Sequence, residues 1–112
     1  MNLHAMLRER ISSGRPVRVG LIGAGKFGSM ILSQARHIDG LHVTGVADVD
    51  GDKAKQSFRR VGWDTDNCFT GSAQEAVATG KTWLTEEASD LFGITEIDCI
   101  IEATGQFRYY RN

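Results

Sequence analysis

A glycine-rich segment contains the residues whose types and spacing are best suited to chemistry. Residues 23–28 read Gly-Ala-Gly-Lys-Phe-Gly, which is the pattern G-x-G-x-x-G. The segment follows the apolar run Val17–Ile22 and precedes a stretch with helical periodicity, so it is predicted to join a buried strand to a helix. There Gly23 would permit the tight turn, Gly25 would let a ligand approach the backbone, and Gly28 would let the helix pack closely on the sheet. Free N–H groups at the start of that helix favour a bound phosphate.

An acidic residue closes the next predicted strand, residues 41–48. Asp48 lies about 20 residues after Gly28, where a dinucleotide-binding βαβ unit has the carboxylate that hydrogen-bonds to the adenosine ribose. The whole unit, residues 17–48, also has the length of about 30 residues expected of such a unit. We therefore predict a dinucleotide cofactor, bound by these residues of the loop and the strand end: Gly23, Ala24, Gly25, Lys26, Phe27, Gly28 and Asp48.

The charges near Asp48 bear on which dinucleotide binds. Asp48 and Asp50 would repel a 2′-phosphate on the ribose, and no arginine stands at the two positions after Asp48. This favours NAD over NADP. NADP stays open as an alternative, because Lys53 or Lys55 on the next predicted helix could still reach a phosphate.

Two other interpretations fit parts of the glycine segment. In the first, the glycines only form a tight turn and Asp48 ends a strand in solvent; the agreement of loop, context, length and acidic residue disfavours it. In the second, Gly20, Gly25 and Lys26 match the G-x-x-x-x-G-K of a P-loop. That match fails because Phe27 occupies the position of the Ser or Thr that holds magnesium. Hydrolysis of a nucleoside triphosphate is therefore not expected.

A second candidate segment closes the apolar strand predicted over residues 97–103. In a doubly wound sheet, ligands bind outside the carboxyl ends of the strands, at the point where the strand order reverses. Ala103, Thr104 and Gly105 are therefore expected to face the ribose and nicotinamide side of the cofactor. The alternative is a plain loop with a turn glycine.

Helices and strands are predicted to alternate along the rest of the chain. The helical ranges are residues 2–12, 27–38, 51–61, 72–79 and 86–92, and the strands are residues 17–22, 41–48, 82–85 and 97–103. Residues 64–70 are interpreted as a loop. Such alternation implies right-handed crossovers and a parallel sheet covered on both faces. The predicted fold class is α/β, a Rossmann-type parallel sheet of about four strands with a leading helix.

Length and composition set limits on the function. A chain of 112 residues, 41% hydrophobic and 24% charged, fits at most one folded domain, with residues 1–15 as a leading helix and residues 16–112 as the cofactor-binding part. The balance of 13 basic and 14 acidic residues argues against nucleic acid as a partner. No signal peptide or long apolar run is visible, so we expect a cytoplasmic protein without a membrane partner. Cys68 and Cys99 lack the spacing of a metal site or a disulfide framework.

Three stretches taken together resemble a known family. Residues 17–28, residues 47–48, and residues 97–105 resemble the N-terminal NAD(P)-binding domain of homoserine-dehydrogenase-like oxidoreductases. The likeness is greatest to the branch with a C-terminal SAF domain, which includes enzymes similar to deoxyxylulose phosphate reductoisomerase. Residues 1–16 also resemble the leading helix of that branch. The resemblance implies a parent enzyme that transfers a hydride between NAD(P) and a small carbonyl or hydroxy substrate.

The chain departs from that family after Gly105. The family continues there with a helix, further strands and a substrate-binding domain, whereas this sequence runs only to Asn112. No catalytic residue can therefore be transferred to it, and the chain alone is expected to bind cofactor without turnover. The alternative is a non-catalytic or vestigial NAD-binding module. With its partners missing, the strand at residues 97–103 is expected to form an exposed apolar edge and to promote self-association.

Overall fold

A computed structural model describes residues 3–104 and 108–111 of the chain. The described residues form these elements in chain order: α1 (Leu3–Ser13), β1 (Val17–Ile22), α2 (Lys26–Ala35), β2 (Leu41–Ala47), α3 (Gly51–Arg60), β3 (Phe69–Thr70), α4 (Ala73–Thr79), β4 (Thr82–Thr85), α5 (Ser89–Phe92), β5 (Cys99–Glu102) and β6 (Arg108–Arg111).

The strands form one sheet in the order β3-β4-β2-β1-β5-β6. The first five are mutually parallel, and β6 is antiparallel to β5. Helices lie between successive parallel strands, because a connection between parallel strands needs a crossover. The chain is thus an α/β protein with a Rossmann-like parallel sheet, which confirms the predicted fold class.

The prediction of a loop over residues 64–70 was wrong at its end. Phe69 and Thr70 form β3, which pairs with Thr82 and Trp83 of β4. A two-residue strand is too short to show an alternating pattern, so its sequence carries no strand signal. The Phe69 ring also contacts Phe58 edge-to-face, with centroids 4.9 Å apart, and this packing holds β3 against the sheet.

The prediction of an exposed edge at residues 97–103 was also wrong. β5 pairs along its whole length with β6, from Cys99 opposite Arg111 to Glu102 opposite Arg108. The five residues between these strands are too few for a parallel crossover, so only antiparallel pairing is open to them. The self-association was expected from an exposed edge at β5, and β6 covers that edge. The sheet also has two strands more than the four that the sequence predicted.

Two apolar clusters pack on opposite faces of the sheet. Alternate residues of β1 divide between them: Val19 and Leu21 join a cluster with α2 and α3, whereas Ile22 packs on a cluster with α5. Phe58 of α3 and Leu91 of α5 are fully buried in the respective clusters. The three layers hold the sheet rigidly between helices, so the carboxyl ends of its parallel strands form one fixed edge.

Helix α1 lies at the opposite, amino-terminal end of the sheet. The Arg10 guanidinium donates to the Pro16 carbonyl at 2.9 Å and to the Asp98 carboxylate at 2.5 Å. The other Asp98 oxygen accepts the Arg18 N–H at 2.9 Å. Asp98 therefore connects the leading helix, β1 and the start of β5 through hydrogen bonds. These contacts account for a polar residue within the apolar run before β5.

Candidate functional site

The carboxyl ends of four parallel strands lie side by side. Three backbone hydrogen bonds continue the ladders beyond the strands: Gly23 N–H to the Ala47 carbonyl (2.7 Å), Asp48 N–H to the Thr85 carbonyl (2.9 Å), and Ala103 N–H to the Ile22 carbonyl (2.8 Å). β2 and β4 lie on one side of β1 and β5 lies on the other, so the strand order reverses between β1 and β5. Such a reversal opens a crevice in which α/β proteins bind ligands.

Gly23 and Gly28 are required by the shape of the loop. Gly23 has φ of +91°, a conformation that favours glycine. A Cβ on Gly28 would lie 2.0 Å from the Gly23 carbonyl oxygen, a backbone atom that cannot move aside cheaply. The start of α2 therefore packs directly on the turn out of β1, as the sequence pattern predicts.

Gly25 differs from the other two, because packing within the protein does not require a glycine there. A Cβ at this position would meet no atom within 4 Å. Gly25 is the N-cap of α2, and no side chain caps that helix. The helix thus begins beside open space at a residue without a side chain, which suits close approach by an anion to its first N–H groups.

Ala24, Lys26 and Phe27 complete the loop in different ways. Ala24 is buried, and its N–H is bound within the protein. Lys26 and Phe27 are exposed at the start of α2, and neither side chain lines the two cavities described below. Their contribution to a ligand would be the backbone N–H groups of the first helical turn.

Asp48 connects the end of β2 to the glycine loop. One carboxylate oxygen accepts the Ala24 N–H at 2.8 Å, and the other accepts the Asp50 N–H at 2.9 Å. A carboxylate has about four acceptor sites, so both oxygens keep capacity for a further hydrogen bond. The residue predicted to hold a ribose therefore also fixes the loop predicted to hold phosphate.

Two cavities adjoin this edge of the sheet, and Asp48 and Val49 line both. The smaller, of about 120 Å³, is lined by Ile22, Gly23, Ala47, Asp48, Val49, Glu86, Ala88 and Thr104. The larger, of about 640 Å³, is lined by Ala24, Gly25, Asp48, Val49, Asp50, Lys53, Gln56, Ser57 and Arg60. The loop and Asp48 thus share the walls of an open, two-part crevice.

The sequence did not single out Val49, Glu86 and Ala88. Val49 is 87% exposed, which is unusual for a large apolar side chain and offers a flat ligand group an apolar contact. Its place directly after Asp48 is the signal that could have identified it. Glu86 and Ala88 follow β4 and reach the crevice only because β4 pairs with β2, which no local pattern reveals.

The segment after β5 is only partly at the crevice. The Thr104 hydroxyl donates to a Glu102 carboxylate oxygen at 3.3 Å, and Thr104 lines the smaller cavity. Its methyl group would lie 2.9 Å from a Cβ on Gly23, so the two segments touch. Ala103 is buried beneath them and lines neither cavity. Gly105 lies outside the described residues.

The cysteines lie away from this crevice. Burial raises the pKa of the Cys68 thiol to about 11 and also raises that of Cys99. Neither thiol is therefore ionised at neutral pH, as a cysteine nucleophile would need to be. Within residues 3–104 and 108–111, no three or more His, Cys, Asp or Glu side chains are grouped to hold a metal ion.

Sequence comparison identifies no family and no curated relative for this chain. No protein-family model matches the chain, and no curated protein is detectably similar to it in sequence. The resemblance to homoserine-dehydrogenase-like oxidoreductases stays a prediction. In the part of the chain that the structure describes, no helix has the length and apolar character needed to cross a membrane.

Proposed function

We propose that this chain binds NAD or NADP as the cofactor-binding part of an oxidoreductase. The observation that carries the proposal is the hydrogen bond from the Ala24 N–H to Asp48, next to the reversal of strand order. It couples the two groups that a dinucleotide needs, which are a phosphate-binding helix start and a ribose-binding carboxylate. A tight turn without a ligand would not need the open position at Gly25.

The cofactor would extend along the strand ends. Its pyrophosphate would lie over Gly25 at the start of α2, and the adenosine ribose would hydrogen-bond to Asp48. Val49 would pack against the adenine. The nicotinamide end would extend past Gly23 toward Thr104, on the β5 side.

The chemistry of hydride transfer comes from the nicotinamide, and the protein positions it. The titratable side chains that line the crevice are Asp48, Asp50, Lys53, Arg60 and Glu86. All but Glu86 lie along the α3 side, where the adenosine would bind. We therefore assign cofactor binding to this chain, and binding of a small carbonyl or hydroxy substrate to other parts of a larger enzyme. We also propose a cytoplasmic location, which the two unpaired cysteines support.

Isothermal titration with NAD, NADP and ADP tests the proposal, with Gly25→Ala as the deciding variant. The added methyl group fits the free protein but would stand where the pyrophosphate approaches, so affinity for all three ligands should fall about tenfold. Gly71→Ala is the matched control, because a Cβ there also meets nothing within 4 Å and Gly71 lines neither crevice cavity. Absence of binding by all three ligands would overturn the proposed function.

A further inference from the structure

The larger cavity has one wall made entirely by helix α3. Four polar side chains at helical spacing face it: Lys53, Gln56, Ser57 and Arg60. The opposite wall consists of the glycine loop, through Ala24 and Gly25, together with Asp48. A polar helix face thus lies across the cavity from the residues assigned to pyrophosphate and ribose.

The two cations of this wall have no carboxylate partner. Among the described residues, one ion pair has its N and O atoms within 4 Å. It joins Arg10 and Asp98, at the other end of the sheet. The Arg60 guanidinium donates to the Ser57 hydroxyl at 3.2 Å, which holds it along the wall. The positive charges of Lys53 and Arg60 are therefore available to a ligand.

The carboxylates on the same cavity already accept hydrogen bonds from backbone N–H groups. Asp48 accepts two backbone N–H groups, and Asp50 caps α3 by accepting the Lys53 N–H at 3.1 Å. The peptide dipoles at the starts of α2 and α3 oppose their negative charge. The cations and two helix starts together make this cavity favourable for an anion, despite its two acidic residues.

We propose that Lys53 and Arg60 bind a phosphate on the adenosine ribose, so that the chain prefers NADP to NAD. This proposal rests on the proposed function. A ribose whose 3′-hydroxyl donates to Asp48 would lie against the larger cavity, which Asp48 lines, and a 2′-phosphate would extend toward α3. Lys55, the other lysine of α3, lines a separate cavity beside β3 and β4 and does not take part. The proposal opposes the preference for NAD expected from Asp48 and Asp50.

Titration of the 112-residue chain with NAD, NADP, ADP and 2′,5′-ADP tests this assignment. We expect NADP and 2′,5′-ADP to bind more tightly than NAD and ADP. Lys53→Gln and Arg60→Gln should each weaken NADP and 2′,5′-ADP about tenfold, the effect of one charge-assisted hydrogen bond, and change NAD affinity less than about twofold. Circular dichroism of each variant would establish that it is folded.

The same helix provides matched controls. Lys55→Gln and Arg59→Gln remove the same charge from α3 but lie outside the larger cavity, so they should leave the ratio of NADP to NAD affinity unchanged. Equal or tighter binding of NAD, or equal losses for both dinucleotides in the Lys53 variant, would overturn the assignment while leaving dinucleotide binding intact. Failure of every ligand to bind would instead overturn the proposed function.

Discussion

At the amino-terminal end of the sheet, the Asp98 carboxylate and the His42 ring are hydrogen-bonded within the protein, whereas the Asp48 carboxylate at the carboxyl end keeps acceptor capacity for a further hydrogen bond. Asp98 bonds Arg10 and the Arg18 N–H, and α1 covers this end. Asp48, the corresponding acid at the other end, bonds only backbone N–H groups beside an uncapped helix. One aspartate thus joins three segments of the protein at one end, and the other is the proposed ribose-binding residue at the other end.

His42 adds to the closed character of the amino-terminal end. Its Nε2 lies 2.7 Å from the Lys81 carbonyl and its Nδ1 lies 3.1 Å from the Thr44 hydroxyl. The neutral Nε2–H tautomer satisfies both contacts, because Nε2 then donates to the carbonyl and Nδ1 accepts from the hydroxyl. Both ring nitrogens are thus engaged within the protein, unlike the polar groups around Gly25.

The largest expected effect is on stability, and it distinguishes Gly28 from Gly25, two glycines at the carboxyl end of the sheet. Gly28→Ala drives a Cβ against the Gly23 carbonyl, so the free energy of unfolding should fall by about 3 kcal/mol or more. Gly25→Ala meets no atom within 4 Å and should change it by less than about 1 kcal/mol. Urea denaturation measures both. A Gly28→Ala variant as stable as the parent would contradict the loop packing described above.

The next effect compares the two aspartates directly. Asp98→Ala removes the acceptor of the Arg18 N–H and the carboxylate partner of Arg10, which keeps its bond to Pro16. The change should cost about 2 kcal/mol of stability but leave dinucleotide affinity unchanged. Asp48→Ala should weaken NAD binding about tenfold or more, because it removes the proposed acceptor of the ribose hydroxyl groups. Denaturation and calorimetry on both variants test this division. Equal loss of ligand affinity in the two folded variants would remove the distinction between the ends.

The smallest effect concerns pH. Burial, the largest cause, and the nearby Arg18 charge lower the pKa of His42 below its ordinary value, against the raising effect of the Lys81 carbonyl. The unfolded chain therefore binds a proton first, so stability falls as pH drops below about 6.5, by at most about 1.4 kcal/mol per pH unit. Above that pH, His42 is neutral in both states and contributes no pH dependence. His42→Gln keeps a donor for Lys81 and should flatten the profile between about pH 7 and 5.

Chemical denaturation at successive pH values measures this difference, and the parent minus His42→Gln isolates the contribution of His42 from those of the carboxylates. The Lys81 ammonium is not required for the contact with His42, because the imidazole ring contacts the Lys81 backbone carbonyl. Parallel profiles of stability against pH for the parent and the variant would contradict the lowered pKa of His42.

The strand, turn and helix around the glycine loop could be predicted because their signals are local. Gly23 and Gly28 meet conformational and packing demands within a few residues of themselves, and Asp48 follows at a fixed spacing. β3 and β6 were missed for the opposite reason. Phe69–Thr70 and Arg108–Arg111 are strands only because β4 and β5 offer free edges to pair with.

The sequence by itself determined the α/β alternation and the positions of the loop and the acid, since hydrophobic period and glycine conformation are properties of short segments. Only the tertiary structure decided that Lys53, rather than Lys55, faces the glycine loop, and that Val49 and Glu86 share the crevice. Those neighbours come from different strands and helices. Which of them meet depends on sheet order and helix rotation, and these are fixed by long-range packing.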